Sequence, residues 1–124
     1  MDNQKNNIVI TKSFSFAVRI IKLYQFLLKN YKEYTISKQI LRSGTSIGAN
    51  IEEAHGGVSK ADFSNKISIA YKESREVSDW LKLLFATNYI NKKMFDSLFK
   101  DCDELSRITF SIIKSTRANN KKSK

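Results

Sequence analysis

The stretch RSGTSIGANIEEAHGG, residues 42–57, holds all four glycines of the 124-residue chain and its only histidine. Three readings compete for it: a loop that cradles phosphate, a metal site built on Glu52 and His55, and a helix packed close against a neighbour. A phosphate-binding loop needs two glycines five apart, then Lys and Ser or Thr, after a strand. Gly44 and Gly48 are four apart, no lysine follows them, and no strand pattern precedes them. Glu52-Glu53-Ala54-His55 does contain Glu-x-x-His, the spacing of di-iron carboxylate bundles, and Glu73 and Glu76 could add carboxylates. Such sites use the pair twice, and this chain has one histidine. That leaves Glu52 and His55 as candidate ligands of a single ion. Alternatively, His55 sits at a helix end, where an imidazolium meets the negative end of the dipole. No metal or other cofactor is expected.

The third reading follows from spacing. Ile36, Ile40, Ser43, Ile47, Asn50 and Ala54 step by fours and threes, the period of one helix face. Thr35 or Ser37 is positioned to cap this helix. Gly56-Gly57 should close it in the left-handed conformation. A glycine inside a helix costs roughly 1 kcal/mol against alanine. Two of them one turn apart allow another backbone to approach closely. Ser43, Gly44, Ile47, Gly48 and Asn50 therefore read as a packing seam, with Asn50 fixing register.

The same period extends in both directions. The first helix carries Phe16, Ile20, Leu23 and Leu27, with a second apolar line through Ala17, Ile21, Tyr24, Leu28 and Tyr31. One core face needs a single stripe, so the surplus face predicts deep burial or a partner subunit. The third helix carries Phe63, Ile67, Ala70, Ser74, Val77, Leu81 and Leu84, opened by Ser59 as cap. The fourth carries Phe95, Leu98, Cys102, Leu105, Thr109 and Ile112. Helices are predicted over roughly 11–31, 35–55, 60–88 and 91–118, with a flexible basic tail at 119–124. The absence of proline suits long helices joined by short turns. The expected fold is all-α, a single antiparallel up-down-up-down four-helix bundle over residues 1–124.

Cys102 is the only cysteine, so no intramolecular disulfide can form. The N-terminus has no signal-peptide pattern and no apolar run could span a membrane, so a cytoplasmic protein without membrane contact is expected. Cys102 lies on an apolar stripe, where free cysteine acts as a small hydrophobe, and His55 has no relay partner. No catalytic constellation emerges, and the chain is not expected to be an enzyme.

The net charge is +10, which attracts polyanions. It is concentrated at the C-terminal end, where six basic residues and no acidic one follow Glu104. Lys93, Lys100, Arg107, Lys114 and Lys121 recur every seven residues, which makes a slowly drifting stripe on one helix face. Arg117 lies to one side of it. Lys12, Arg19, Lys22 and Lys29 cluster on the first helix. For any single lysine a solvated outer face is explanation enough. Together the two groups predict a phosphate-backbone interface for RNA or DNA, with structured RNA favoured, weakly sequence-specific and steeply salt-dependent. A protein-interaction scaffold without nucleic acid is the competing expectation.

Leu41-Arg42-Ser43-Gly44-Thr45-Ser46-Ile47-Gly48-Ala49-Asn50-Ile51-Glu52-Glu53-Ala54 resembles the signature of the four-helix bundle proteins encoded in intervening sequences of bacterial 23S ribosomal RNA genes. Phe63, Ile67, Ala70, Lys72-Glu73-Ser74-Arg75-Glu76 and Trp80-Leu81 fall where a second signature of that family would. The resemblance covers roughly Phe14 to Ile90, and the fourth helix matches in pattern only. Ala54-His55-Gly56-Gly57 departs from the family, which more often has a glycine directly after the glutamate. The resemblance implies a four-helix bundle assembled as a homopentamer. The family is also similar to the accessory variability determinant of diversity-generating retroelements, a basic pentamer that binds nucleic acid and a protein partner, the reverse transcriptase.

Overall fold

The computed structural model describes residues 3–57 and 59–122. It contains four helices: α1 (Asn3–Tyr31), α2 (Thr35–His55), α3 (Lys60–Ala86) and α4 (Lys92–Lys122). Among the described residues there is no strand. Each helix packs on its sequence neighbours, and α4 returns to close the ring against α1. Joined by short turns, they form the expected up-down-up-down bundle. The α1/α4 contact is the least extensive of the four, and the diagonal pairs do not meet among the described residues.

The core follows the stripes read from spacing, with exceptions: Val9 and Ile51, outside the stripes, are wholly buried, while Ile36, Asn50, Phe63 and Phe95, inside them, are only half-buried. Phe16, Ile20, Leu23 and Leu27 from α1 meet Ile40, Ile47 and Ile51 from α2. Ile67, Ala70, Val77, Leu81 and Leu84 from α3 and Leu98, Cys102, Leu105 and Ile112 from α4 complete it. Each large side chain that is fully buried contributes roughly 1.5–3 kcal/mol. The second apolar line of α1 is not in the core. Ala17, Tyr24 and Leu28 are half-buried and Ile21 and Tyr31 are 42% and 48% exposed; beside them Phe14 and Val18 are exposed as well.

Both outer helices are longer than spacing predicted. α1 starts at Asn3 rather than near residue 11, because Val9 is wholly buried and draws the preceding turns onto the bundle. α4 continues to Lys122 through most of the predicted flexible tail. Its polar last turns follow from buried Ile113 and Thr116 just before them, since propagating a helix costs little once it is nucleated. Residues 123–124 lie outside the described residues.

The helix ends also correct three expectations. Neither Thr35 nor Ser37 caps α2; both lie inside it. The Glu33 carboxylate does so, accepting from the backbone N–H groups of Thr35 at 2.9 Å and Ile36 at 2.9 Å. Its longer side chain reaches forward from the residue before the N-cap position and places a negative charge at the helix N-terminus. Gly56 closes α2 at φ −92°, not in the left-handed region, and no described glycine has positive φ. At Gly57 a Cβ would sit 2.5 Å from Asp62 Oδ2, which rotation of that side chain relieves, and 3.2 Å from Ala54 O, a tight backbone contact. Lastly, α3 ends two residues early, at Ala86. Asn88, at φ 69°, takes the left-handed position. Tyr89 N–H then donates to Leu84 O at 3.0 Å and Asn88 N–H to Phe85 O at 3.1 Å, the Schellman arrangement. At the opposite end of α3, Ser59 Oγ accepts from Asp62 N–H at 3.0 Å, as its position predicted.

Candidate nucleic-acid interface

The residues of the opening stretch form part of the core wall. Ser43, Gly44 and Ile47 are buried. A Cβ on Gly44 would lie 2.7 Å from Ile20 Cγ2, so α2 approaches α1 to glycine distance there. At Gly48 the same test gives 3.5 Å to Ser13 Oγ, an ordinary contact. Asn50 is only half-buried and its amide donates to Ser46 O of its own helix at 2.8 Å. It makes no register-setting bond across the bundle among the described residues.

Glu52 and His55 face different neighbours. Glu52 lines a groove between α1 and α2 with Phe14 and Ala17. His55 Nδ1 lies 2.8 Å from Ile51 O, and its ring meets Phe63 edge-on at 5.6 Å. Glu73 and Glu76 turn to α2, where the Arg42 guanidinium bonds Glu73 at 3.2 Å and Glu76 at 2.8 Å. Trp80 Nε1 donates to Glu76 at 3.3 Å. The hydrogen bond to Glu76 raises the Arg42 pKa further above its usual value. Among the described residues no three His, Cys, Asp or Glu side chains converge as metal ligands would. Cys102 is buried against Ser74 O at 3.1 Å, and burial pushes its thiol up to about 12.

The fourth-helix cations stand in solvent. Lys93, Lys100, Arg107, Lys114 and Arg117 are all exposed. Arg107 Nε donates to Asp103 at 2.8 Å, and Lys114 Nζ sits 5.7 Å from the centre of the Phe110 ring. The side chain of Lys121 lies outside the described residues. The first-helix group divides in two. Lys12 pairs with Glu104 at 2.8 Å, and Arg19 pairs with Asp101 at 2.6 Å while donating to Ser97 Oγ at 2.8 Å. The hydrogen bond to Glu104 raises the Lys12 pKa. These two cations lace the α1/α4 seam. Lys22 and Lys29 are exposed and have no ion pair among the described residues. Asp101 and Glu104 therefore stand between the α1 cations and the basic stripe of α4.

The structure supplies a different partner for that stripe. Tyr71 of α3 packs on Phe110 of α4 at 5.5 Å, and Lys82 Nζ lies 5.7 Å from the Phe99 ring centre. Ser74 and Ser106 hydroxyls meet at 2.7 Å between the two helices. Outside this seam, Lys72, Arg75 and Lys82 are exposed and have no ion pair among the described residues. The outer face of α3 and α4 thus carries Lys72, Arg75, Lys82, Lys100, Lys114 and Arg117 around a part-exposed Phe110. Its acids are Asp79, Asp96 and Asp103, with Glu104 at the border with α1; Asp96 pairs with Lys92, Asp103 with Arg107 and Glu104 with Lys12. Sequence reasoning missed the α3 contribution because Lys72 and Arg75 alternate with Glu73 and Glu76. Packing separates them: the acids turn to Arg42, and the cations stay outside. The seven-residue step from Arg75 to Lys82 was the available signal.

Among the described residues no helix is long and apolar enough to cross a membrane. No curated protein matches the chain. A crystal structure of a protein of unknown function from the S23 ribosomal protein family of Bacteroides thetaiotaomicron is similar to it at 53% identity and a TM-score of 0.87. That similarity covers 89% of this chain and 98% of the other. The family model for 23S rRNA-intervening sequence proteins matches residues 5–111, which extends the likeness through most of α4, beyond the segment carrying the two signatures. With that match over the greater part of its length, and with the bundle described above, the chain belongs to the 23S rRNA-intervening sequence protein family.

Proposed function

We propose that this protein is a non-catalytic, self-associating bundle that binds structured RNA through the outer face of α3 and α4. The observation that carries this reading is that Lys72, Arg75 and Lys82 on α3, and Lys100, Lys114 and Arg117 on the α4 helix packed against it, are all exposed and without an ion pair among the described residues. Cations without an acidic partner remain available to phosphates, and each contact releases condensed counterions. A part-exposed Phe110 beside Lys114 adds an aromatic surface of the kind that nucleic-acid interfaces use. Lys12 and Arg19, tied to α4 acids, contribute less than position alone suggests.

The test is RNA retention by the triple variant Lys100→Glu, Arg107→Glu, Lys114→Glu at low salt, beside the triple variant Lys72→Glu, Arg75→Glu, Lys82→Glu. Both should lose binding while helical content is retained. Each phosphate contact removed should flatten the salt dependence by roughly 0.9 in log–log slope. Unchanged affinity in both variants overturns the reading.

The uncovered apolar side of α1 supports the second component, self-association. Phe14, Val18 and Ile21 are exposed on one side of α1, and exposed apolar patches mark interaction sites. A homopentamer is the assembly that the family resemblance implies. This face also supports the competing reading, a scaffold whose assembly is its whole role. A stable oligomer that retains no RNA in a salt-sensitive manner would favour that alternative.

A further inference from the structure

We propose that the cleft at the loop end of the bundle, walled by Tyr31, Phe85 and Tyr89 and edged by Lys92, takes an unstacked base of single-stranded nucleic acid. The inference rests on the nucleic-acid reading above and deepens it, because it names a second recognition element with different chemistry.

The turn between α1 and α2 and the turn between α3 and α4 lie at the same end of the bundle. Between them is a cleft of about 360 Å³. Its rings form two sets: Tyr31 meets Phe26 at 6.0 Å and Tyr89 at 5.2 Å, both edge-on. Phe85 stacks on Phe95 at 4.8 Å. Tyr31 is 48% exposed and Phe85 37%. Aromatic rings left open in this way offer π-faces that any base can stack on.

Polar groups share the rim. Asn91 Oδ1 caps α4 by accepting from Met94 N–H at 2.8 Å. Its amide nitrogen, and the Asn88 side chain, have no protein partner among the described residues. Both can pair with base edges. The charge at this end is positive. Lys29, Lys32, Lys92 and Lys93 are exposed there. Of the nearby acids, Glu33 caps α2 and Asp96 is paired with Lys92 at 2.6 Å. Lys29, Lys32 and Lys93 have no ion pair among the described residues; an apolar protein partner would leave them without counter-charge, whereas a polyanion supplies it.

The site is also preorganised. Left-handed Lys32 and Asn88, at φ 51° and 69°, reverse the chain in hydrogen-bonded turns. The cleft is continuous with the proposed RNA face as well. Lys93 opens the basic stripe one residue beyond Lys92, and the stripe runs about 30 Å from there to Lys114, at 1.5 Å per residue. A duplex lying on α3 and α4 would deliver a single-stranded overhang to the rings.

The test compares oligouridine with an RNA hairpin of equal length, using wild-type protein, Tyr31→Ala, Phe85→Ala and Tyr31→Phe. Loss of either ring should weaken oligouridine binding on the order of tenfold. Hairpin affinity and the salt slope should not change, and Tyr31→Phe should bind as wild type. A 4-thiouridine probe should crosslink to peptides containing Tyr31, Phe85 or Tyr89. Equal losses for both RNAs, no loss for either, or crosslinks confined to other helices overturn the proposal. If Tyr31→Ala unfolds, Phe85→Ala and the crosslinks on wild-type protein decide. Hairpin binding with no aromatic effect sinks this inference alone. Failure of wild-type protein to bind either RNA sinks the broader reading with it.

Discussion

Gly44 lies so close to Ile20 that a Cβ on the glycine would be 2.7 Å from Ile20 Cγ2 and 2.8 Å from Cγ1. Both atoms sit on the branched carbon of a fully buried side chain, so rotation at the far end of a chain cannot relieve the clash. Gly44→Ala should destabilise the bundle by about 1–2 kcal/mol, an overpacking cost partly offset by better helix propensity. Gly48→Ala should be neutral or stabilising by up to roughly 1 kcal/mol, because its Cβ would meet only ordinary contacts. Urea unfolding of the two variants checks the contrast. Adding Ile20→Ala to Gly44→Ala should show non-additive recovery, as coupled neighbours do.

Glu33 holds the first turn of α2, so Glu33→Ala should cost about 1 kcal/mol, the usual value of an N-terminal cap. Ala substitution at Thr35, which also stands at the start of α2 but does not cap it, should cost less. Thermal unfolding followed by circular dichroism separates the two. Equal losses would show that the carboxylate adds nothing.

Cys102 should be inert in the folded protein. Burial raises its thiol from the ordinary value near 9 to about 12, so little thiolate exists at neutral pH and reagents cannot reach it. Labelling by a disulfide-exchange reagent should follow global unfolding, becoming fast only in denaturant. Linkage gives the sign of the pH effect. The unfolded thiol ionises before the folded one, so the contribution of the buried thiol is complete below about 9. It is lost as pH rises towards about 12. Cys102→Ala should remove that component of the alkaline loss.

The outer side of α1 should govern assembly. Phe14→Asp with Ile21→Asp should shift the mass measured by sedimentation or light scattering towards monomer, with helical content unchanged. Substituting exposed Lys38→Asp on α2 should leave the mass as it was. A mass insensitive to both changes would assign the interface to another surface.

The amino-acid sequence by itself determined four helices and most of the residues that enter the core; Val9 and Ile51 lay outside the stripes. Burial follows a 3.6-residue period, and that period is a local property of the chain. Ile40, Ile47 and Ala54, or Ile67, Ala70 and Ser74, are legible without knowledge of their partners. The reading of residues 42–57 as core wall was also local, because a phosphate loop lacked its lysine and a di-metal site its second histidine. Tertiary structure alone decided which charges remain available. Arg42 draws Glu73 and Glu76 to one side of α3, and this frees Lys72 and Arg75 on the other. Glu104 and Asp101 occupy Lys12 and Arg19. Those pairings join residues 31 to 92 positions apart in the chain, and spacing along one helix cannot show which neighbour a long charged side chain will reach. The loop-end cleft is likewise a tertiary product, because Tyr31 and Tyr89 meet only when two separate turns arrive at the same end of the bundle.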